Sequence, residues 1–84
     1  MENIREENNT HEKLIRRYKA KLLPYSYNIV GDFMEAEDVV QEVLNKYLLG
    51  FQEHVERPDS YLTRAVINKS INRKELLRNK KEQY

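Results

Sequence analysis

The chain has 84 residues, 15 basic and 14 acidic, and this length fits one small domain. Because the sequence contains no cysteine, it excludes a disulfide framework, a thiolate nucleophile and a cysteine-based metal site. No apolar run approaches the ~18–20 residues of a membrane span, and the polar, acidic N-terminal segment is unlike a signal peptide. We therefore expect a cytoplasmic protein.

The first predicted helix follows a polar leader. Residues 1–9 lack apolar periodicity apart from Ile4, so we expect a flexible leader there and a helix that begins near Asn9–Thr10. Pro24 falls inside this helix and removes one backbone hydrogen bond, which predicts a kink near it. The apolar stripe recurs at steps of four and three, as in an amphipathic helix, and consists of Leu14, Tyr18, Leu22, Tyr25 and Ile29.

Gly31 and Asp32 separate the first helix from the second. Glycine adopts the left-handed conformation that ends a helix, and Asp32 with Glu35 three residues later resembles a capping box. We predict a second helix from about 33 to 49, closed by Gly50. The short connection predicts that the first two helices are antiparallel neighbours. The predicted buried stripe consists of Ala36, Val39, Val40, Val43, Leu44, Tyr47 and Leu48.

A loop of about eight residues, 51–58, precedes the third predicted helix, because this segment has no helical stripe and Pro58 disfavours helix before it. The third helix is predicted over about 60–79, with Asp59 or Ser60 as its N-cap. Its inward-facing residues near the start are Tyr61, Leu62, Ala65 and Val66.

These elements predict an all-α fold, a small three-helix domain over residues 10–80 with a frayed tail at 81–84.

Charge is distributed unevenly along this domain. Residues 12–21 hold five basic side chains and one acidic, 32–46 hold five acidic and one basic, and 57–81 hold eight basic and two acidic. Blocks of opposite sign indicate two partners of different charge, or else ordinary solvated faces.

The sequence gives little support for catalysis. No serine lies in a nucleophile-elbow context, and the two histidines, His11 and His54, are too few for a metal site. The two glycines cannot form a glycine-rich phosphate loop. We therefore expect no enzymatic activity, no metal and no other cofactor.

Two candidate binding surfaces remain. On the second helix, polar residues at i, i+3, i+4 and i+7 form one strip, typical of a docking face or of a solvated face. The strip consists of Asp38, Gln41, Glu42 and Asn45. The third helix and its loop combine cations for phosphates, rings for stacking and amides for base edges, a pattern typical of single-stranded nucleic-acid binding. These residues are Phe51, Arg57, Tyr61, Arg64, Asn68, Lys69, Asn72 and Arg73. Core packing of Tyr61 and Phe51 is the alternative, and for Tyr61 both uses can hold on its two faces.

The segment 31–43, GDFMEAEDVVQEV, closely resembles the A-E-D-x-x-Q-E signature of bacterial RNA polymerase sigma factors. Upstream, Tyr18-x-x-x-Leu22 looks like the first helix of sigma region 2. Downstream, 58–62 (PDSYL) with Asn68 and a basic tail resembles the family's P-x-x-W-L…N pattern. The resemblance covers about residues 11–80, and the most similar branch is the extracytoplasmic-function type of the sigma-70 family.

The resemblance implies a transcription initiation factor domain with two partners. The polar strip, with Asp38, Gln41 and Glu42 at the family's motif positions, would dock on the clamp helices of the largest subunit of the RNA polymerase core. The third helix and loop, with Phe51 and Asn68 at the matching positions, would recognise and help to melt the −10 promoter element through its non-template single strand.

Three positions depart from the family pattern: Tyr61 replaces a common Trp, Asn72 replaces a common Asp, and Glu75 lies where a basic residue is usual. These departures suit an alternative function, a sigma-like interaction domain that binds polymerase or an anti-sigma factor without reading DNA. The family also continues into a second domain that reads the −35 element, which these 84 residues do not contain. An isolated domain of a longer protein is the favoured explanation, and a truncated paralogue is the other.

Overall fold

Three α-helices form the fold over the residues that the structure describes. The structure is a computed structural model that describes residues 2–51 and 54–82, with side chains over 12–50 and 54–80. The helices are α1 (Glu2–Val30), α2 (Phe33–Lys46) and α3 (Pro58–Glu82), and a π-helical turn, Tyr47–Phe51, continues from α2. No strand occurs within this described part, so the predicted all-α, three-helix fold is confirmed.

The first helix begins at Glu2, so the predicted start near Asn9–Thr10 is wrong. Extending an existing helix adds one hydrogen bond for each residue that is fixed, and the early glutamates suit both helix propensity and the positive end of the helix dipole. The helix therefore extends over residues 2–9 although this segment has no apolar stripe. The division into a leader and a domain stays a prediction.

The buried face of α1 differs in part from the predicted stripe. Leu22 and Ser26 are fully buried, whereas Tyr25 is 44% exposed and Leu14 is also exposed, so the prediction of an inward Tyr25 and Leu14 is wrong. Inside the core, Ser70 Oγ of α3 donates a hydrogen bond of 2.7 Å to Ser26 Oγ. A small hydroxyl residue at 26 is compatible with this close approach of α3, and Ser26 rather than Tyr25 faces inward.

Pro24 lies inside the continuous helix α1, and the kink near it stays a prediction. Proline in a helix interior lacks the N–H that would bond to the preceding turn and is about 3 kcal/mol less favourable than alanine. Proline also restricts the unfolded chain, and its replacement loses up to about 1 kcal/mol of that stabilisation. We therefore expect Pro24→Ala to raise the free energy of unfolding by about 2 kcal/mol. Thermal unfolding followed by circular dichroism tests this, and an unchanged or lower melting temperature would contradict it.

The junction between α1 and α2 matches the sequence prediction. Gly31 has φ of +79°, the left-handed conformation, and Asp32 Oδ1 accepts a hydrogen bond of 2.9 Å from the Glu35 N–H. The end of α2 differs, because the chain passes through Gly50 in the π-helical turn and closure of the helix at Gly50 is therefore wrong. This turn keeps Tyr47 buried and Leu48 packed against the core.

The start of α3 also differs from the prediction. Pro58 is the first residue of α3 and the Tyr61 N–H bonds to the Arg57 carbonyl oxygen at 3.0 Å, so neither Asp59 nor Ser60 is the N-cap. Proline suits this first position because its missing N–H would have no partner within the helix. Asp59 instead forms an ion pair of 3.2 Å with Lys21 of α1. Of the predicted tail, residues 83 and 84 lie outside the described residues.

All three helices pack against one another around one apolar cluster. The α2 side of this cluster follows the predicted stripe, with Ala36 and Val39 also buried beside it. The cluster consists of Leu22, Val40, Val43, Leu44, Tyr47, Leu62 and Val66. This packing fixes the polar face of α2 and the basic face of α3 side by side.

Candidate functional site

An ion cluster joins the polar face of α2 to α3, and we name it the Arg73 cluster: Arg73, Glu35, Asp38, Glu42 and Lys69. Arg73 Nη1 donates to Glu35 Oε2 at 2.6 Å and to Asp38 Oδ2 at 3.0 Å. Arg73 Nη2 donates to Glu42 Oε1 at 3.4 Å, and Lys69 Nζ lies 2.8 Å from Glu42 Oε2. The Arg73 side chain is only 17% exposed, so its charge is directed at α2 rather than at solvent.

Helical spacing builds this cluster from both sides. The three carboxylates lie at i, i+3 and i+7 on α2, and Lys69 and Arg73 lie at i and i+4 on α3, so each set shares one helix face. The hydrogen bond to Glu35 is the largest cause that raises the pKa of Arg73 above its ordinary value, although burial opposes it. The sequence analysis missed this cluster, and the signal that reveals it is the matched spacing of opposite charges on two packed helices.

The four residues of the predicted strip lie along one face of α2. Asp38, Gln41 and Asn45 are exposed and Glu42 is half-buried. Lys19 Nζ of α1 contacts Gln41 Oε1 at 3.4 Å. The strip is therefore bordered by α1 on the Gln41 side and by α3 on the side of Asp38 and Glu42.

A groove between α2 and α3, which we name the helix-pair groove, brings together four of the predicted DNA-binding residues. Its volume is about 350 Å³. On α3 its lining residues share one helix face. On α2 they are Glu42 of the polar strip and two residues next to it in the helix, Val43 and Lys46. The lining residues are Glu42, Val43, Lys46, Tyr61, Ala65, Asn68, Lys69 and Asn72.

A second groove, the loop groove, lies beside the start of α3 and has a volume of about 470 Å³. It gathers Arg57, Tyr61 and Arg64 with residues of the preceding loop. Tyr61 lines both grooves, so the two grooves meet at this residue.

The position of Tyr61 is consistent with both predicted uses of its ring. Its ring centroid lies 6.2 Å from that of the buried Tyr47, with a tilt of 37° between the ring planes. The residue is nevertheless 38% exposed. The ring therefore packs against the core and keeps surface open to a ligand.

Arg73 is not among the residues that line these two grooves. Phe51 ends the π-helical turn, and its side chain lies outside the described residues. Arg73 is directed at three carboxylates of α2, and its predicted contact with phosphate stays a prediction. The remaining six predicted residues line one groove or both.

Fold and grooves together describe a small helical domain in which the polar strip of α2 lies beside two surface grooves. The family model of sigma-70 region 2 matches residues 14–81, and the chain therefore belongs to the sigma-70 region 2 family. Domains of this family belong to non-enzymatic transcription initiation factors that bind RNA polymerase and take part in promoter melting. Among curated proteins and among solved structures, none is significantly similar to the chain. Within residues 2–51 and 54–82, no helix has the length and apolar content needed to cross a membrane.

Proposed function

We propose that this domain, of the extracytoplasmic-function type, docks on the clamp helices of the polymerase's largest subunit and recognises the −10 element as a single non-template strand. The observation that carries the proposal is the helix-pair groove, where Tyr61, Asn68 and Lys69 converge. A ring, an amide and a cation are the three groups that single-strand recognition needs for stacking, base contact and phosphate contact. The adjacent strip on α2 supplies the docking face.

Melting is favoured in this arrangement by contacts that exist only in the open strand. Unpairing and unstacking a base costs a few kcal/mol, and stacking on an aromatic ring returns about 1–3 kcal/mol per base. Tyr61 supplies the exposed ring between the two grooves, and we assign a second stacking role to Phe51 from its place in the chain. The duplex offers neither face of its bases to such rings, so the domain binds the open strand better than the closed one.

Base preference and phosphate contact are assigned to different side chains. Asn68 and Asn72 lie one turn apart on α3 and are exposed, so their amides can bond to base edges. Arg57 and Arg64 in the loop groove are the phosphate contacts, together with Lys69 in the helix-pair groove, whose side chain is 41% exposed although it pairs with Glu42.

A specific observation favours a second candidate function, an interaction domain that binds polymerase or an anti-sigma factor without reading DNA. Arg73 and Lys69 are paired with α2 carboxylates, so part of the basic charge of α3 is neutralised within the domain. A weaker cation surface lowers the electrostatic contribution that dominates non-specific nucleic-acid binding.

Binding of the 84-residue chain to a single-stranded −10 oligonucleotide, with and without a clamp-helix fragment, distinguishes the two functions. We expect the chain to bind the fragment and the complex to bind the oligonucleotide in preference to a scrambled strand. Fragment binding with no preference for the promoter strand, either alone or in assembled holoenzyme, would support the interaction domain instead. A chain that neither binds the fragment nor prefers the promoter strand would contradict the proposal as a whole.

A further inference from the structure

The Arg73 cluster points to a role for Arg73 that differs from the one its position in a basic helix predicts. We infer that Arg73 is a positioning residue of the polymerase-docking face, which holds Asp38 and Glu42 in the orientation in which they meet the polymerase. The inference rests on the proposed docking function. The inference assigns Arg73 to the polymerase partner, although Arg73 lies on α3, the helix that is proposed to contact DNA.

The exposed fractions of the side chains show how the cluster is oriented. The Arg73 side chain is 17% exposed, whereas those of Asp38 and Glu42 are 58% and 42% exposed. The cation is therefore turned inward and the carboxylates keep a side open to solvent. Each carboxylate has about four acceptor positions, so an external donor can bind Asp38 or Glu42 while Arg73 still holds it.

The geometry of the guanidinium makes Arg73 suited to this task. Its planar fork reaches Glu35 and Asp38 through Nη1 and Glu42 through Nη2, and so ties together side chains from two turns of α2. Without it, three like charges at i, i+3 and i+7 would repel one another, and of the three only Glu42 would keep its ion pair with Lys69. Lysine offers a single compact charge and cannot bridge the same set.

Orientation of these acids before binding lowers the entropy that docking must overcome. Freezing a flexible side chain at an interface has a cost that corresponds to about a two- to tenfold change in affinity for each side chain. Arg73→Gln frees Asp38 and leaves Glu42 held by Lys69 at 2.8 Å, and we expect it to weaken binding to a clamp-helix fragment by up to about tenfold. Arg73→Lys should give an intermediate loss.

A double-mutant cycle separates positioning from a general loss of structure. In an Asp38→Asn background, we expect Arg73→Gln to cause a clearly smaller loss than the one expected with Asp38 present, because one of the three carboxylates that Arg73 contacts is gone. Lys74→Gln removes the same charge from the next position of α3 and should leave fragment affinity unchanged. An equal loss from Arg73→Gln in both backgrounds would overturn the positioning role.

Single-strand binding provides the second test. Arg73→Gln should leave the salt dependence of oligonucleotide binding unchanged. A fall in the slope of log K against log salt of roughly 0.7 would identify Arg73 as a phosphate contact and overturn the inference. If the wild-type chain does not bind the fragment, the docking proposal and the inference both fail. If Gln41→Ala weakens fragment binding but Arg73→Gln does not, only the inference fails.

Discussion

Charge reversal on the proposed docking face, in the double variant Gln41→Ala with Glu42→Lys, should weaken binding to a clamp-helix fragment by about 100-fold or more. A lysine at 42 places a cation where the proposed interface uses an acid, and opposing like charges cost several kcal/mol. Gln41→Ala removes a neighbouring hydrogen-bonding group from the same exposed face. Isothermal titration of the wild type and the variant measures the difference. An unchanged affinity would mean that the docking face lies elsewhere on the domain.

The Arg73 cluster adds a second consequence to this variant, so its stability must be measured as well. Glu42 pairs with Lys69 at 2.8 Å and with Arg73 at 3.4 Å, and Glu42→Lys replaces both attractions with repulsion. We therefore expect a lower melting temperature, whereas exposed positions outside such clusters change stability by only ~0.5 kcal/mol. Glu75→Lys on α3 is the matched control, since it makes the same charge change at an exposed site outside the strip. Fragment binding should be compared at a temperature where both variants are folded.

The features of this domain that were predictable from its sequence are those determined by local chemistry. Gly31 and Asp32 define the junction of α1 and α2 because left-handed glycine and a side-chain cap act within a few residues. The valines of α2 form a buried stripe because their spacing matches the helical repeat in a helix that has one apolar face. The strip around Gln41 followed from the same repeat on the opposite face.

The features that the sequence did not predict depend on contacts between helices. Ser26 rather than Tyr25 faces the core because α3 approaches at Ser70, which lies 44 positions away in the chain. Arg73 pairs with acids of α2 because packing of α2 on α3 brings charges together that lie more than 30 residues apart. A periodicity shows which face of a helix is polar, but it does not show which other helix that face meets.

The amides and the cations of α3 should affect single-strand binding in different ways, which provides the sharpest test of DNA reading. Asn68→Ala should lower affinity for the preferred strand by about 1–3 kcal/mol and largely remove the preference over a scrambled strand. Its salt dependence should stay nearly unchanged, since the amide carries no charge. Arg64→Gln should weaken binding to all strands about equally and lower the salt slope by roughly 0.7, since one phosphate contact is lost. The comparison is made by titrating labelled oligonucleotides at several salt concentrations.

The placement of the two residues explains why the two effects should separate. Asn68 and Tyr61 both line the helix-pair groove, so under the proposal the amide is close to a base that stacks on the ring, whereas Arg64 lines the loop groove. In the assembled holoenzyme the same pair of variants should differ in promoter opening, with Asn68→Ala impaired on the preferred promoter and Arg64→Gln impaired on all promoters at high salt. If Asn68→Ala keeps its sequence preference and both variants open promoters as the wild type does, α3 does not read DNA. The interaction-domain function would then be the better account of the polar strip and the Arg73 cluster.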